Sequence, residues 1–416
     1  MFELEDIRIE NTRTINYGAK NHLNGLQEKG IPRNAVLREL KMRLGKDFTY
    51  DSGRILGSMC TSPHPFARQI YARFFEKNLG DPGLYPASAE IEREAVQMLG
   101  SLLSHPKAVG HIVSGGTEAN ILGMWTARNL RNNRCNEVVA PESVHLSFEK
   151  AADLLNLKLV KVKLDDDFRM DLEDASRKIS DKTCALVGVA GTTALGVVDP
   201  IAELSELALS HNVTLHVDAA FGGFVLPFLR ELNFDVPDFD FRHPGVSSVT
   251  IDAHKMGLAP IPAGGILFRD ADMMRAVSKR VSYLAGGETE QSTIVGTRPG
   301  ASCLAVWALL RHMGREGYRR TVKRCMQMTF RLASGVERID GLRLVTRPTL
   351  NIVGIKSKGL STELLAQTLR RRGWAVALFP DHIRIVVMPH VTASHIDVFL
   401  EDLNDAVKKL RSGKGT

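Results

Sequence analysis

The chain has 416 residues, 44% hydrophobic and 24% charged, with a formal net charge of +7. That is ordinary globular composition, long enough for a large core and about two domains, and no apolar run approaches the ~20 residues that cross a bilayer. Cys60, Cys135, Cys184, Cys303 and Cys325 show no CxxC pair and no Cys/His metal spacing, so no metal is expected and the thiols read as reduced and cytoplasmic. The positive balance fits an RNA partner or an acidic substrate, but a mildly basic enzyme surface is the simpler cause.

The N-terminus, MFELEDIRIE, is acidic and lacks the apolar core of a signal peptide. Residues 1–50 read as a polar arm with one amphipathic helix, Asn34–Leu44, whose Val36, Leu37, Leu40 and Leu44 share a face. It either packs on a partner subunit or extends freely. The next stretch, to about residue 90, is rich in loops. Two prolines and a histidine in TSPHP make a rigid exposed turn. His64 there is a candidate substrate contact, against the plainer reading of a solvated loop histidine.

From Ala89 the pattern alternates. A helix to Leu103 precedes a strand at His111–Val113, and SGGTEAN (Ser114–Asn120) opens a helix to about Asn129. Strands follow at Glu137–Ala140, Leu159–Leu164 and Cys184–Ala190, with a helical stretch after PESVHLS. Asp199-Pro200 caps a helix to about Ser210, and Val213–Val217 is a strand ending at Asp218. Ser248–Ile251 and Gly265–Phe268 are strands around a turn that carries His254-Lys255. Nearly all-apolar strands alternating with helices predict an α/β domain over 51–300, with a parallel sheet covered on both faces. In such sheets the ligand sits beyond the carboxyl ends of the strands. After a helix at Ala301–Met313, the segments LRLVTRPTLNIVGI, WAVALF and IRIVVMPH alternate with helices at Thr362–Arg372 and His395–Leu410. They predict a smaller α+β domain over 301–416 with an antiparallel sheet.

A lysine just past a buried strand is unusual, because a desolvated ammonium is unfavourable. Lowering its pKa makes Lys255 an amine nucleophile. The commonest such use is a Schiff base with pyridoxal phosphate (PLP), whose ring nitrogen needs an acidic partner. Asp218, at the end of its apolar strand, supplies one. Either residue alone is equally well a loop lysine or a turn-capping aspartate; the two in this order favour PLP. The glycine-rich turn at Gly115-Gly116-Thr117 offers free N–H groups and a helix end to a phosphate. His145 is placed to stack on the ring, or else to cap the helix near Ser147. Thr192 and Thr193 are placed to hydrogen-bond the cofactor, Ala220 to touch its other face, and His254 to reach the phosphate.

These motifs carry a resemblance. GGTEAN, SVHLSFEKAADLL, GTTALG, HVDAAFGGF, DAHKMGLAP, GTRPGAS and HIRIVVMPH occur in the order seen in group II PLP-dependent decarboxylases. Over about Gly30–Leu410 the chain most closely resembles the archaeal L-tyrosine/L-aspartate decarboxylases. The resemblance implies PLP-dependent fold type I, similar to aspartate aminotransferase, with a mostly parallel large domain and a small C-terminal α+β domain. It implies a homodimer with shared active sites. Lys255 then resembles the cofactor-bearing lysine, Asp218 the ring-nitrogen partner and His145 the stacking histidine. Gly116, Thr117 and His254 resemble phosphate ligands, and Thr297 the residue that reaches a phosphate across the dimer. Arg384 resembles the arginine that anchors a substrate carboxylate. Tyr283 lies in RVSYLAGGETEQST, which reads as a mobile lid, and resembles the loop tyrosine that returns a proton to Cα.

The implied reaction is α-decarboxylation of a small amino acid: L-tyrosine to tyramine, for methanofuran, or L-aspartate to β-alanine, for coenzyme A. Two departures stand out. The first thirty or so residues extend beyond the family's usual start, and Pro299 replaces a serine in GTRPG. The Arg-Pro-Gly resembles sphingosine-phosphate lyases, which keeps a carbon–carbon lyase as the alternative. A basic RNA-associated PLP protein acting on aminoacyl-tRNA ranks last, because the aromatic–basic interleaving of single-strand RNA modules is missing.

Overall fold

The computed structural model describes residues 25–131 and 134–412, and the chain divides into two units between Asp47 and Phe48. In the first unit, α1 spans Arg33–Leu44. None of its residues is buried, and the apolar face of Val36, Leu37, Leu40 and Leu44 is exposed. The rest of the expected arm, residues 1–24, lies outside the described residues.

The second unit begins with α2 (Pro65–Arg73), α3 (Pro86–Leu102), β1 (Val109–Val113), α4 (Gly116–Leu130), β2 (Glu137–Pro141), α5 (Ser147–Leu155) and β3 (Lys158–Val162). It continues through α6 (Leu172–Lys178), β4 (Thr183–Val189), α7 (Ile201–Ser210), β5 (Thr214–Asp218), α8 (Leu226–Glu231), β6 (Val246–Ile251), β7 (Gly264–Phe268) and α9 (Ala271–Arg275). These seven strands form one sheet in the order β1-β7-β6-β5-β4-β2-β3. Every residue of β2 and β4 is buried, as expected for strands covered on both faces. The sheet is parallel except at β7, which runs against both β1 and β6. The loop from Ile251 to Gly264 contains no helix to carry the chain back across the sheet, so the next strand runs in reverse. The large sheet is thus mostly parallel, as the resemblance implies, with one reversed strand that the apolar pattern does not single out.

A hairpin of β8 (Lys279–Val281) and β9 (Thr289–Gln291) follows, then α10 (Gly300–Glu337). β10 (Leu342–Leu344), β11 (Ile352–Ser357), α11 (Thr362–Arg371), β12 (Ala377–Leu378), β13 (Ile383–Val386) and α12 (Ala393–Arg411) complete the described chain. The second sheet, β10-β11-β13-β12, is antiparallel throughout, as expected. α10 kinks at Gly314, where φ is 53°. The predicted helix to Met313 therefore ends at a real break, but a second helical stretch continues beyond it.

Two loop expectations change. TSPHP is not an isolated turn: His64 caps α2 by accepting from Phe66 N–H, and Pro65 takes the first helical position, where its missing N–H is no loss. The segment around Tyr283, expected as a mobile lid, forms a paired hairpin. Gly286 packs so tightly on Gly83 that a Cβ there would lie 2.5 Å from the Gly83 backbone. Ser292, just past the hairpin, is buried and bonds His111 Nε2 at 2.6 Å. Among the described residues no helix is long and apolar enough to cross a membrane.

Candidate active site

A cavity of about 400 Å³ opens at the carboxyl ends of β4, β5 and β6. The fold brings together there Gly116, Thr117, His145, Asp218, Ala220, His254 and Lys255. The N-terminal turn of α4 forms one wall, with its backbone N–H groups free of intrahelical partners. Glycine is required at this wall for space. A Cβ on Gly116 would come within 2.9 Å of Asp252 Oδ2, and one on Gly264 within 2.4 Å of Gly115 Cα.

Lys255 Nζ lies 3.0 Å from Asp252 Oδ2. Burial pulls the ammonium pKa down, but Asp252 and then Asp218 outweigh it, and the net shift is upward. The expectation of a lowered pKa is therefore corrected for the chain by itself: the sequence reading counted the desolvation and missed the carboxylate three residues earlier. Asp252 is 2% exposed. Its Oδ2 also faces His254 Nε2 at 3.7 Å, while Oδ1 has no hydrogen-bond partner. The His254 ring is fixed by Nδ1, which donates to the Ala263 carbonyl at 2.8 Å.

Asp218 is 5% exposed. Its Oδ1 accepts from Ala220 N–H at 3.0 Å, and its Oδ2 accepts from Asn120 Nδ2 at 2.9 Å. His145 combines its two anticipated placements. It lines the cavity, and its Nδ1 also accepts from Ser147 N–H at 3.2 Å.

Five anticipated residues do not line this cavity. Thr192 is buried and its hydroxyl accepts from Val197 N–H at 3.0 Å; Thr193 is the threonine that faces the cavity. Arg384 lies just behind that wall, donating to the Thr193 carbonyl at 2.7 Å and the Gly57 carbonyl at 2.6 Å. No carboxylate pairs with it among the described residues, its Nε has no partner, and burial pushes its pKa down to about 10. His64 lines a separate cavity of about 610 Å³ against α10. Tyr283 is 84% exposed, and Thr297 is exposed.

The residues present fit PLP. The site holds a buried amine, a carboxylate held by neutral N–H donors, and an open helix end for a phosphate, all facing one cavity. Sheet, lysine loop and small antiparallel domain together define a PLP-dependent enzyme of fold type I. The chain matches the model of the pyridoxal-dependent decarboxylase conserved domain over residues 66–358. It belongs to that family and is a PLP-dependent amino acid decarboxylase. It is 52% identical over 383 residues to the L-aspartate decarboxylase of Thermococcus kodakarensis, covering 92% of this chain and 99% of that protein. It is 53% identical over 357 residues to a probable L-tyrosine/L-aspartate decarboxylase of Methanothermobacter thermautotrophicus, covering 85% of this chain and 98% of that protein. Among solved structures it is similar to a sphingosine-1-phosphate lyase of Burkholderia pseudomallei, with a TM-score of 0.87, 29% identity and coverage of 96% and 95% of the two chains. Glutamate decarboxylase of Lactobacillus brevis gives a TM-score of 0.83 at 25% identity, covering 93% and 94%. The lyase and the decarboxylase thus share this scaffold, and family membership places the chain with the decarboxylases.

Proposed function

We propose that the chain removes the α-carboxyl group of L-aspartate, with L-tyrosine as a second substrate, giving β-alanine or tyramine. The observation that carries this reading is Arg384: a buried guanidinium without an anionic partner among the described residues, one residue behind the cavity wall. The two relatives named above act on these amino acids.

When bound, PLP supplies an aldehyde that condenses with amino groups and a protonated ring that accepts electron density as CO2 leaves. Lys255 is the amine that would hold it and give it up to a substrate amine. Asp252 keeps that amine's proton close at hand, 3.0 Å away. Asp218 would partner the ring nitrogen, and His145 and Ala220 would flank the ring, all three lining the same cavity. Thr117, His254 and the N–H groups at Gly116 bind the phosphate. Arg384 fixes a substrate carboxylate, for which a planar fork of donors is well suited. The Tyr283 hydroxyl delivers a proton to Cα after CO2 departs.

We further propose a cytoplasmic homodimer. Thr297 and Tyr283 are exposed and do not line their own chain's cavity, and exposed Ile294 and Val295 lie two and three residues before Thr297. A second copy gives these residues a site to serve. All five cysteines are free thiols, which suits a reducing compartment.

The test is a screen of single amino acids for CO2 release with added PLP, coupled to amine analysis. Aspartate should give β-alanine, and tyrosine should give tyramine. Release from neither, with turnover of some other amino acid, would overturn the substrate assignment.

A further inference from the structure

Behind Asp218 lies a polar network that is saturated. Asn120, on α4, is 1% exposed. Its Nδ2 donates to Asp218 Oδ2 at 2.9 Å and to Ser147 Oγ at 2.9 Å. Its Oδ1 accepts from Thr250 Oγ1 at 2.7 Å and lies 3.0 Å from His216 Nε2. A side-chain amide has two N–H donors and one carbonyl with two lone pairs, so Asn120 is used to capacity.

The network admits one proton arrangement. Ionised Asp218 only accepts, so the amide nitrogen must face it. Asn120 Oδ1 then faces His216, which must carry its proton on Nε2. His216 Nδ1 is left to accept from Ser248 Oγ at 2.8 Å. Burial pushes His216 down to about 4, against the opposing pull of Asp218, so the ring is neutral and has one proton to place. Ser147 Oγ, having accepted from Asn120, turns its own hydrogen toward His145 Nδ1 at 3.0 Å. One amide therefore fixes the Asp218 carboxylate and the Ser147 hydroxyl together, and the Ser147 hydroxyl adds to the backbone N–H that already bonds His145 Nδ1.

The chemistry of the donors matters. A lysine or arginine behind Asp218 would stabilise the carboxylate but cancel its charge. Asn120 and Ala220 donate neutral N–H groups that fix both carboxylate oxygens and add no counter-charge of their own. The titratable groups that face Asp218 are His216 on its own strand, and His145 and Lys255 across the cavity.

We propose that Asn120, locked by His216 and Thr250, is a positioning residue that holds the Asp218 carboxylate aimed at the ring nitrogen of the cofactor. This rests on the reading of Asp218 as that nitrogen's partner, and the experiment separates the two. Protein loaded with PLP labelled with ¹⁵N in the ring is followed by NMR across the neutral pH range, because the ¹⁵N shift reports directly whether the nitrogen carries a proton. The parent should stay protonated throughout. Asn120→Ala should hold the ring proton about tenfold less well, moving its loss about one pH unit lower. Asn120→Asp should have a larger effect, because two adjacent carboxylates must share a proton. Thr250→Val, which removes one donor to Asn120 Oδ1 at nearly constant volume, should shift the profile less and in the same direction. Circular dichroism checks the fold; if Asn120→Ala does not fold, Thr250→Val decides. Parental profiles in every folded variant would overturn the proposal. Asp218→Asn separates the layers. If it loses the ring proton while the Asn120 and Thr250 variants keep it, only the positioning role fails; if it keeps the proton, the reading of Asp218 fails and the positioning role with it.

Discussion

Arg298 and Arg384 are equally buried, each 8% exposed, yet their surroundings are opposite. Arg298 makes two parallel bonds to Glu92, at 2.5 and 3.0 Å, and a third to the Ile112 carbonyl at 2.9 Å. Burial works against its charge, but Glu92 more than compensates and raises its pKa. Arg384 has two neutral carbonyls, the ring of Phe379 5.3 Å below it and no anion among the described residues. The first arginine completes its ion pair within the fold. It ties the Gly296–Gly300 loop, and so Thr297, to β1, whose Ile112 N–H also donates to Glu92 at 2.9 Å. The second is a cation left open beside the cavity. A buried charge without a counter-ion is destabilising, and such groups cluster where a ligand completes them. The contrast separates an arginine whose ion pair is complete within the fold from one that the described residues leave without an anion, as the proposed carboxylate anchor requires.

The contrast can be broken at either end. The largest effect is expected at the complete pair. Glu92→Gln leaves a buried guanidinium facing a neutral amide and should lower unfolding free energy by about 3–5 kcal/mol in urea titrations. A loss below ~1 kcal/mol would mean that the pair is dispensable. The same pair gives a pH signature. Burial works to raise the Glu92 pKa, but Arg298 and His111 overcome it and hold the carboxyl at about 2, against ~4.3 for a free glutamate. Its contribution is complete above the unfolded value and drains away as pH falls from roughly 4 toward 2, by about 3 kcal/mol. Glu92→Gln should lose that component of acid sensitivity.

Arg384→Lys should act on binding instead. We expect KM to rise about tenfold or more, about 1.4 kcal/mol, with the fold intact and PLP retained. Unchanged KM for every substrate would show that the guanidinium is structural after all. Tyr283→Phe should have the smallest effect on stability, within about 0.5 kcal/mol for so exposed a site. It should still release CO2 but yield less amine than CO2; equal yields at the parental rate would move the proton donor elsewhere, to Lys255 or His145.

Much of this was legible in the chain, and the limits have physical causes. Apolar strands ending in chemistry-bearing residues announce themselves locally, so Asp218, Lys255 and the glycine turn before α4 stood out. The pairing of Arg298 with Glu92 joins residues far apart in sequence, and no local pattern encodes it. Asn120 was visible only as the end of a glycine-rich motif; its four partners come from α5, β5 and β6. Asp252 read as the end of a strand, though its spacing of three before Lys255 was a usable signal. Thr192 and Thr193 were inseparable without the turn that directs one hydroxyl to Val197. The reversed β7 followed from a loop too irregular to hold a crossover helix, a feature that apolar strand content does not report.

The amine that carries the cofactor can be read chemically. Borohydride reduction of the PLP-loaded protein, followed by proteolysis and mass spectrometry, should leave the reduced pyridoxyl group on the peptide containing His254-Lys255, with the mass increment on Lys255. Recovery of the label on any other lysine, with Lys255 unmodified, would contradict the site built here around Asp218, Asp252 and Lys255.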